Sequence, residues 1–126
     1  MKITGIICEY NPFHNGHLYH MNQTRKNGAT HIVAVMSGNY VQRGDIAVMD
    51  KFTRAKLAVR GGADLVIEIP SVYALSSAEF YARGAVSILD SLGCVDEISF
   101  GSEAGSVEDL KKASEIAEKM VDYDKI

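Results

Sequence analysis

The sequence has no tryptophan, only two cysteines and two prolines in 126 residues, and fewer Lys and Arg (13) than Asp and Glu (16). Each scarcity excludes something. Cys8 and Cys94 lie far apart and form no C-x-x-C pair, so neither a zinc ribbon nor a disulfide framework is available, and free thiols in a reducing cytosol are expected. The formal net charge of -3 lacks the overall basic excess that advertises nucleic-acid binding. No apolar run approaches the roughly 20 residues needed to span a bilayer, and the chain enters a strand-like run at once, so no membrane or export signal is expected and the location reads as cytoplasmic. Repeats, low-complexity tracts and Pro/Gly-rich linkers are missing too. What is present, 47% hydrophobic residues over this length, suits one domain with its own core.

Four β-type runs, at 3–10, 31–36, 64–69 and 97–100, alternate with helical patterns, the rhythm of βαβ units and a parallel sheet. The runs HIVAVM and DLVIEI are mostly apolar rather than alternating, as expected of strands covered on both faces. The fold expected is therefore α/β, a three-layer open parallel sheet of Rossmann-like type. Helices over 18–27, 50–60 and one ending near 92 stop at Gly28, Gly61-Gly62 and Gly93. Ser76 with Glu79 fits a capping box, and Ser106 with Asp109 a weaker acidic one. A last helix would place Val107, Leu110, Ala113, Ala117, Met120 and Val121 on one stripe against the sheet. It runs into the chain end, so residues 1–126 are expected to form one α/β domain cut from something longer.

The stretch EYNPFHNGHLYH, residues 9–20, follows the first strand, at the end of a parallel sheet where ligands bind. Pro12 lacks an N–H and biases Asn11 toward an extended backbone, which ends the strand. Gly16 permits a tight turn and close approach of backbone to a ligand, and Asn15 is the expected N-cap of the next helix. Unpaired N–H groups and a partial charge of roughly +0.5 at that helix entrance suit a phosphate. His14 and His17, three apart, could both donate to it, and one such donor in a dry site is typically worth about 10²- to 10³-fold in rate. Two other readings compete. His14, His17 and His20 are a conceivable metal set, but the H-E-x-x-H pattern is missing and no metal site is expected. Plain packing or capping is the third, and His20 alone reads as a core or surface histidine, with no role for His31.

Two further clusters sit at strand ends. In MSGNYVQRGDIAVMDKFTRAK, residues 36–56, Ser37, Gly38 and Asn39 make a turn, after which Arg43, Lys51, Arg54, Lys56 and Arg60 gather positive charge. Lys51 and Arg54 share a helical face and could clamp phosphates, or simply pair with Asp45 and Asp50 on a solvated face. In SFGSE, residues 99–103, Gly101 and Ser102 could receive an adenine or ribose, or form an ordinary turn. Neither G-x-x-x-x-G-K-[ST] nor G-x-G-x-x-G occurs, which removes the phosphate-loop and usual dinucleotide fingerprints.

HNGH at 14–17, after a first parallel strand, resembles the H-x-G-H signature of the nucleotidylyltransferase superfamily, which includes the class I aminoacyl-tRNA synthetases. The ordered set EYNPFHNGHLYH, MSGNYVQRGD, DKFTRAK, GADLVIEIP and FGSE resembles the bacterial tRNA(Met) cytidine acetate ligases. That resemblance implies an enzyme that activates acetate with ATP as acetyl-adenylate, releases pyrophosphate, and acetylates N4 of the wobble cytidine of elongator tRNA(Met). It maps the family's ATP-binding segment onto Ile7, Cys8, Glu9, Tyr10, Asn11, Pro12, Phe13, His14, Asn15, Gly16, His17, Leu18, Tyr19 and His20, and the adenine side onto Gly101. His14 and His17 take the catalytic role, and Mg2+ is expected to bridge the phosphates. Family members are longer, with an asparagine and an arginine contacting ATP beyond this chain, and tRNA(Met) is expected to engage such further regions; the superfamily's second signature is not found here. Two alternatives stand beside it: a cofactor-biosynthetic adenylyltransferase moving AMP to a phosphorylated acceptor, and a non-catalytic nucleotide-binding module. The residues leave the oligomeric state open.

Overall fold

A computed structural model describes residues 1–41, 46–74 and 77–99. Its elements run β1 (Ile3–Cys8), α1 (Asn15–Lys26), β2 (His31–Ser37), α2 (Lys51–Gly61), β3 (Leu65–Ile69), α3 (Ser71–Ala74), α4 (Ala78–Ser91) and β4 (Glu97–Ser99). The sheet order is β3-β2-β1-β4 and every pairing is parallel. The expected three-layer α/β sheet is what forms.

The central strand shows why. Along β2, Ile32, Ala34 and Met36 face one way and join Ile6, Tyr10, Met21 and Ala58 in a core beneath α1 and α2. Val33 and Val35 face the other way and join Ile69, Tyr81, Ala85 and Leu89 beneath α4. A strand's side chains alternate between faces, so an unbroken apolar run is stable only with a helix layer on each side. The face toward α4 needs close approach at Gly5, where an added Cβ would come within 2.7 Å of Leu89 Cδ1.

The glycine stops hold. Gly28, Gly62 and Gly93 follow α1, α2 and α4 with φ of 111°, 130° and 70°, values that favour a residue without Cβ. Beyond one-residue shifts at several ends, three boundaries differ from expectation in an informative way. β1 ends at Cys8 rather than residue 10, because Tyr10 turns the chain with φ 49°. α1 begins three residues earlier than expected, and its cap is His14, not Asn15. α4 is capped by Ser77, whose Oγ accepts from Phe80 N at 3.3 Å. Ser76, Ser106, Asp109 and the expected last helix lie outside the described residues.

From β1 the chain builds β2 and β3 to one side, while β4 pairs on the other through Thr4–Glu97, Gly5–Ile98 and Ile6–Ser99. The order thus reverses between β1 and β4, and in open α/β sheets a ligand crevice opens at the carboxyl ends of such a pair. Among the described residues no helix is long and apolar enough to cross a membrane.

Leu89 is 1% exposed over Gly5. Leu89→Ala is expected to lower unfolding free energy by about 2–5 kcal/mol in urea titrations while the far-UV spectrum is retained. A loss well under 1 kcal/mol would contradict this packing.

Candidate functional site

The loop from β1 into α1 is held by packing rather than by regular hydrogen bonding. Tyr10 is 2% exposed despite its left-handed backbone. Its ring meets Phe13 edge-on at 4.9 Å between centroids and His17 at 4.7 Å. Phe13 lies so close to α2 that a Cβ on Gly61 would come within 2.5 Å of its Cζ. Asn11 Oδ1 accepts from Val48 N at 2.7 Å, tying this loop to the segment that follows β2.

His14 and His17 cap α1 reciprocally. His14 Nδ1 accepts from Gly16 N at 3.0 Å, and His17 Nδ1 accepts from His14 N at 3.1 Å. The rings stack with centroids 3.6 Å apart and planes 22° from parallel. A neutral imidazole whose Nδ1 accepts carries its proton on Nε2. In its neutral form each ring would thus carry its proton on Nε2, and stacking couples the two rings. The backbone differs from expectation: His17 N and Leu18 N donate to His14 O at 3.0 and 3.1 Å, and Gly16 N to the His14 ring. Those three first-turn donors are engaged by the protein itself. The first turn is therefore not a row of open amides.

His20, one turn on, does something else. Its Nε2 lies 2.9 Å from Ser99 Oγ, which lies 2.9 Å from Thr24 Oγ1, and Thr24 Oγ1 donates to His20 O at 2.8 Å. This chain joins α1 to the carboxyl end of β4 across the crevice. Burial lowers the His20 pKa below its usual 6.5, favouring the neutral ring. The three histidines are thus divided between capping and cross-linking, and among the described residues no group of three His, Cys, Asp or Glu side chains gathers as a metal set.

The positive cluster reads differently once folded. Arg54 is fully buried and donates to four backbone carbonyls: Nε to Met49 O at 3.0 Å, Nη1 to Glu9 O at 2.6 Å, and Nη2 to Ser37 O at 3.1 Å and to Gly38 O. A guanidinium so enclosed does not clamp a phosphate. Lys51 Nζ pairs with Glu68 at 2.9 Å, and Asp50 caps α2 by accepting from Thr53 N at 2.9 Å, which holds its carboxyl below the usual range. Arg43, Asp45, Gly101 and Ser102 lie outside the described residues. Of the remaining candidates, Ile7 packs toward α4. The partly buried Cys8 thiol donates to Val35 O at 3.5 Å, and desolvation pushes its pKa up, away from the thiolate form. Pro12, Asn15, Leu18 and Tyr19 are exposed at the helix entrance. Sequence reasoning missed Tyr81, whose hydroxyl donates to Cys8 O at 2.7 Å from 73 residues away, and no local pattern points to it.

A family model described as HIGH Nucleotidyl Transferase matches residues 1–125. The chain belongs to this family. Within it, the chain is 56% identical over 117 residues to the tRNA(Met) cytidine acetate ligase of Clostridium novyi (strain NT), covering 92% of this chain and 29% of that protein. The Clostridium tetani (strain Massachusetts / E88) ligase of the same name is 55% identical over 120 residues, with 94% and 30% covered. The crystal structure of Thermotoga maritima TmcAL bound with alpha-thio ATP superposes with a TM-score of 0.82 at 49% identity, covering 92% of this chain and 28% of that one. This HIGH nucleotidyl transferase chain therefore spans about three-tenths of the length of the curated relatives it matches.

Because His20 is held neutral when folded, the unfolded chain takes up its proton first as pH falls. The stability it contributes is present above about pH 6.5 and is lost as pH drops through its lower folded value. His20→Gln is expected to give a flatter dependence of melting temperature on pH below 6.5 than the parent chain. Identical slopes would contradict the assignment.

Proposed function

We propose that the chain is the ATP-binding domain of a longer tRNA(Met) cytidine acetate ligase, in which ATP activates acetate to acetyl-adenylate before N4-acetylation of the wobble cytidine. The observation that carries this is the stacked His14–His17 pair, with both Nδ1 atoms accepting from backbone and Nε2 left as the protonated nitrogen. The relatives' names supply acetate and tRNA(Met) as substrates, and the alpha-thio ATP bound by the Thermotoga maritima protein supplies the nucleotide.

Acetate oxygen attacks the α-phosphorus in line, forming the carboxyl–phosphate bond as the bond to pyrophosphate breaks. Charge grows on the α-phosphoryl and departing oxygens, and the two Nε2–H groups donate to it. Donors preset by capping bonds need not reorganise as that charge develops, which is the condition under which such donors contribute most. No covalent protein nucleophile takes part, in keeping with the engagement of the Cys8 thiol by Val35 O. Mg2+, where bound, would supply charge neutralisation on the phosphates, a role for which it usually relies on substrate oxygens and water with few protein ligands. The tRNA then accepts the acetyl group on surfaces supplied by the rest of the longer protein, in the cytosol where tRNA is modified.

In the full-length protein, exchange of labelled pyrophosphate into ATP is expected to require acetate and to fall by about 10²- to 10³-fold in His14→Ala or His17→Ala. Melting curves of the variants are to verify that they remain folded. Exchange independent of acetate, or exchange that instead needs a phosphorylated acceptor, would overturn this assignment in favour of a cofactor adenylyltransferase. Tight ATP binding with no turnover would mark a non-catalytic module.

A further inference from the structure

We propose that Arg54 is a positioning residue for this chemistry, locking the exits of β1 and β2 in the relative placement that aims the His14–His17 pair. The inference rests on the ATP-activating function proposed above. Arg54 is 0% exposed and would touch no substrate.

Its guanidinium reaches three chain segments at once. Glu9 O is the exit of β1, Ser37 O and Gly38 O are the exit of β2, and Met49 O belongs to the segment entering α2. A planar fork with five donors spans such carbonyls as no ammonium can. A buried charge is costly unless fully hydrogen-bonded, and apolar packing often serves stability as well or better. The acceptors are all main-chain carbonyls, and three of the four lie at the ligand-facing ends of two adjacent parallel strands.

The link to the histidines is short. Glu9 O precedes Tyr10, whose left-handed backbone throws its ring against Phe13 at 4.9 Å and His17 at 4.7 Å. A shift of the Glu9 carbonyl is transmitted through Tyr10 to the His17 ring and, by stacking at 3.6 Å, to His14. From the other side, Asn39 Oδ1 accepts from Lys51 N at 2.9 Å, so the Ser37–Gly38 turn moves with the helix that carries Arg54.

Arg54→Lys and Arg54→Met in the full-length protein test this. With folding verified by melting curves, kcat for acetate-dependent exchange is expected to fall about 10²-fold, a typical effect of displacing catalytic groups by about 1 Å, while KM for ATP changes much less. Wild-type kcat in folded Arg54→Lys overturns the inference alone; parent protein without acetate-dependent exchange overturns the functional proposal and the inference with it. Should both variants fail to fold, arginine-labelled parent protein decides by NMR. ATP is expected to shift the Arg54 Nε–H signal but not that of Arg25, which binds Thr30 O, Gly62 O and Asp64 at the opposite end of the sheet. An unmoved Arg54 signal overturns the inference.

Discussion

The backbone leaves β1 through a bulky residue in the left-handed region, and the site depends on that constraint. Tyr10 at φ 49° is a conformation that costs an L-residue about 1–2 kcal/mol, so it persists only where its surroundings over-determine it. Here they do so from both directions. The Arg54 guanidinium holds the carbonyl just before it, and burial of the aromatic ring between Phe13 and His17 holds the side chain. An extended Tyr10 would continue β1 and carry the His-containing loop away from the crevice. The turn instead delivers His14 to the N-cap of α1, where the side chain can close the helix.

Under the proposed function, that closure gives the histidines two tasks from one geometry. Using Nδ1 to cap the helix decides the tautomer, and the tautomer decides that Nε2 donates. A serine or aspartate cap would satisfy the same amides and present no second donor. The helix's partial positive charge still favours an anion nearby, and its first turn contains no acidic residue to oppose one. Four other positive charges serve the scaffold: Arg54 is enclosed by carbonyls, Lys51 answers Glu68, and Arg25 and Lys2 pair with Asp64 and Glu97 at solvated positions where such pairs contribute little.

Much of this architecture was legible from residue patterns because local physics decides it. Apolar runs such as HIVAVM admit few fates beyond a strand covered on both sides, and Gly28, Gly62 and Gly93 mark helix ends through backbone freedom alone. The HNGH loop could be placed at a strand's carboxyl end for the same reason. What escaped was decided by side-chain geometry and by distant partners. Histidine has no general preference for helix caps, so Asn15 reads as the better cap, and only the reciprocal bond from His14 N to the His17 ring makes His14 the cap. Arg54 reads equally as a phosphate clamp or as a charge on a solvated face, because sequence shows charge without showing enclosure. His20 and Ser99 are 79 residues apart, and the contact across β1 and β4 becomes visible only once the strand order reverses. Gly101 and the expected final helix lie outside the described residues, so the adenine side of the site stays with the family resemblance.

The central claim is that capping bonds commit His14 and His17 to donate from Nε2. Long-range ¹H–¹⁵N correlation spectra of the histidine rings at neutral pH test it directly. The account predicts Nε2–H tautomers with unprotonated Nδ1 for both residues, and a shift of both Nε2 signals when ATP is added. Nδ1–H tautomers, or Nε2 signals indifferent to ATP, would contradict it.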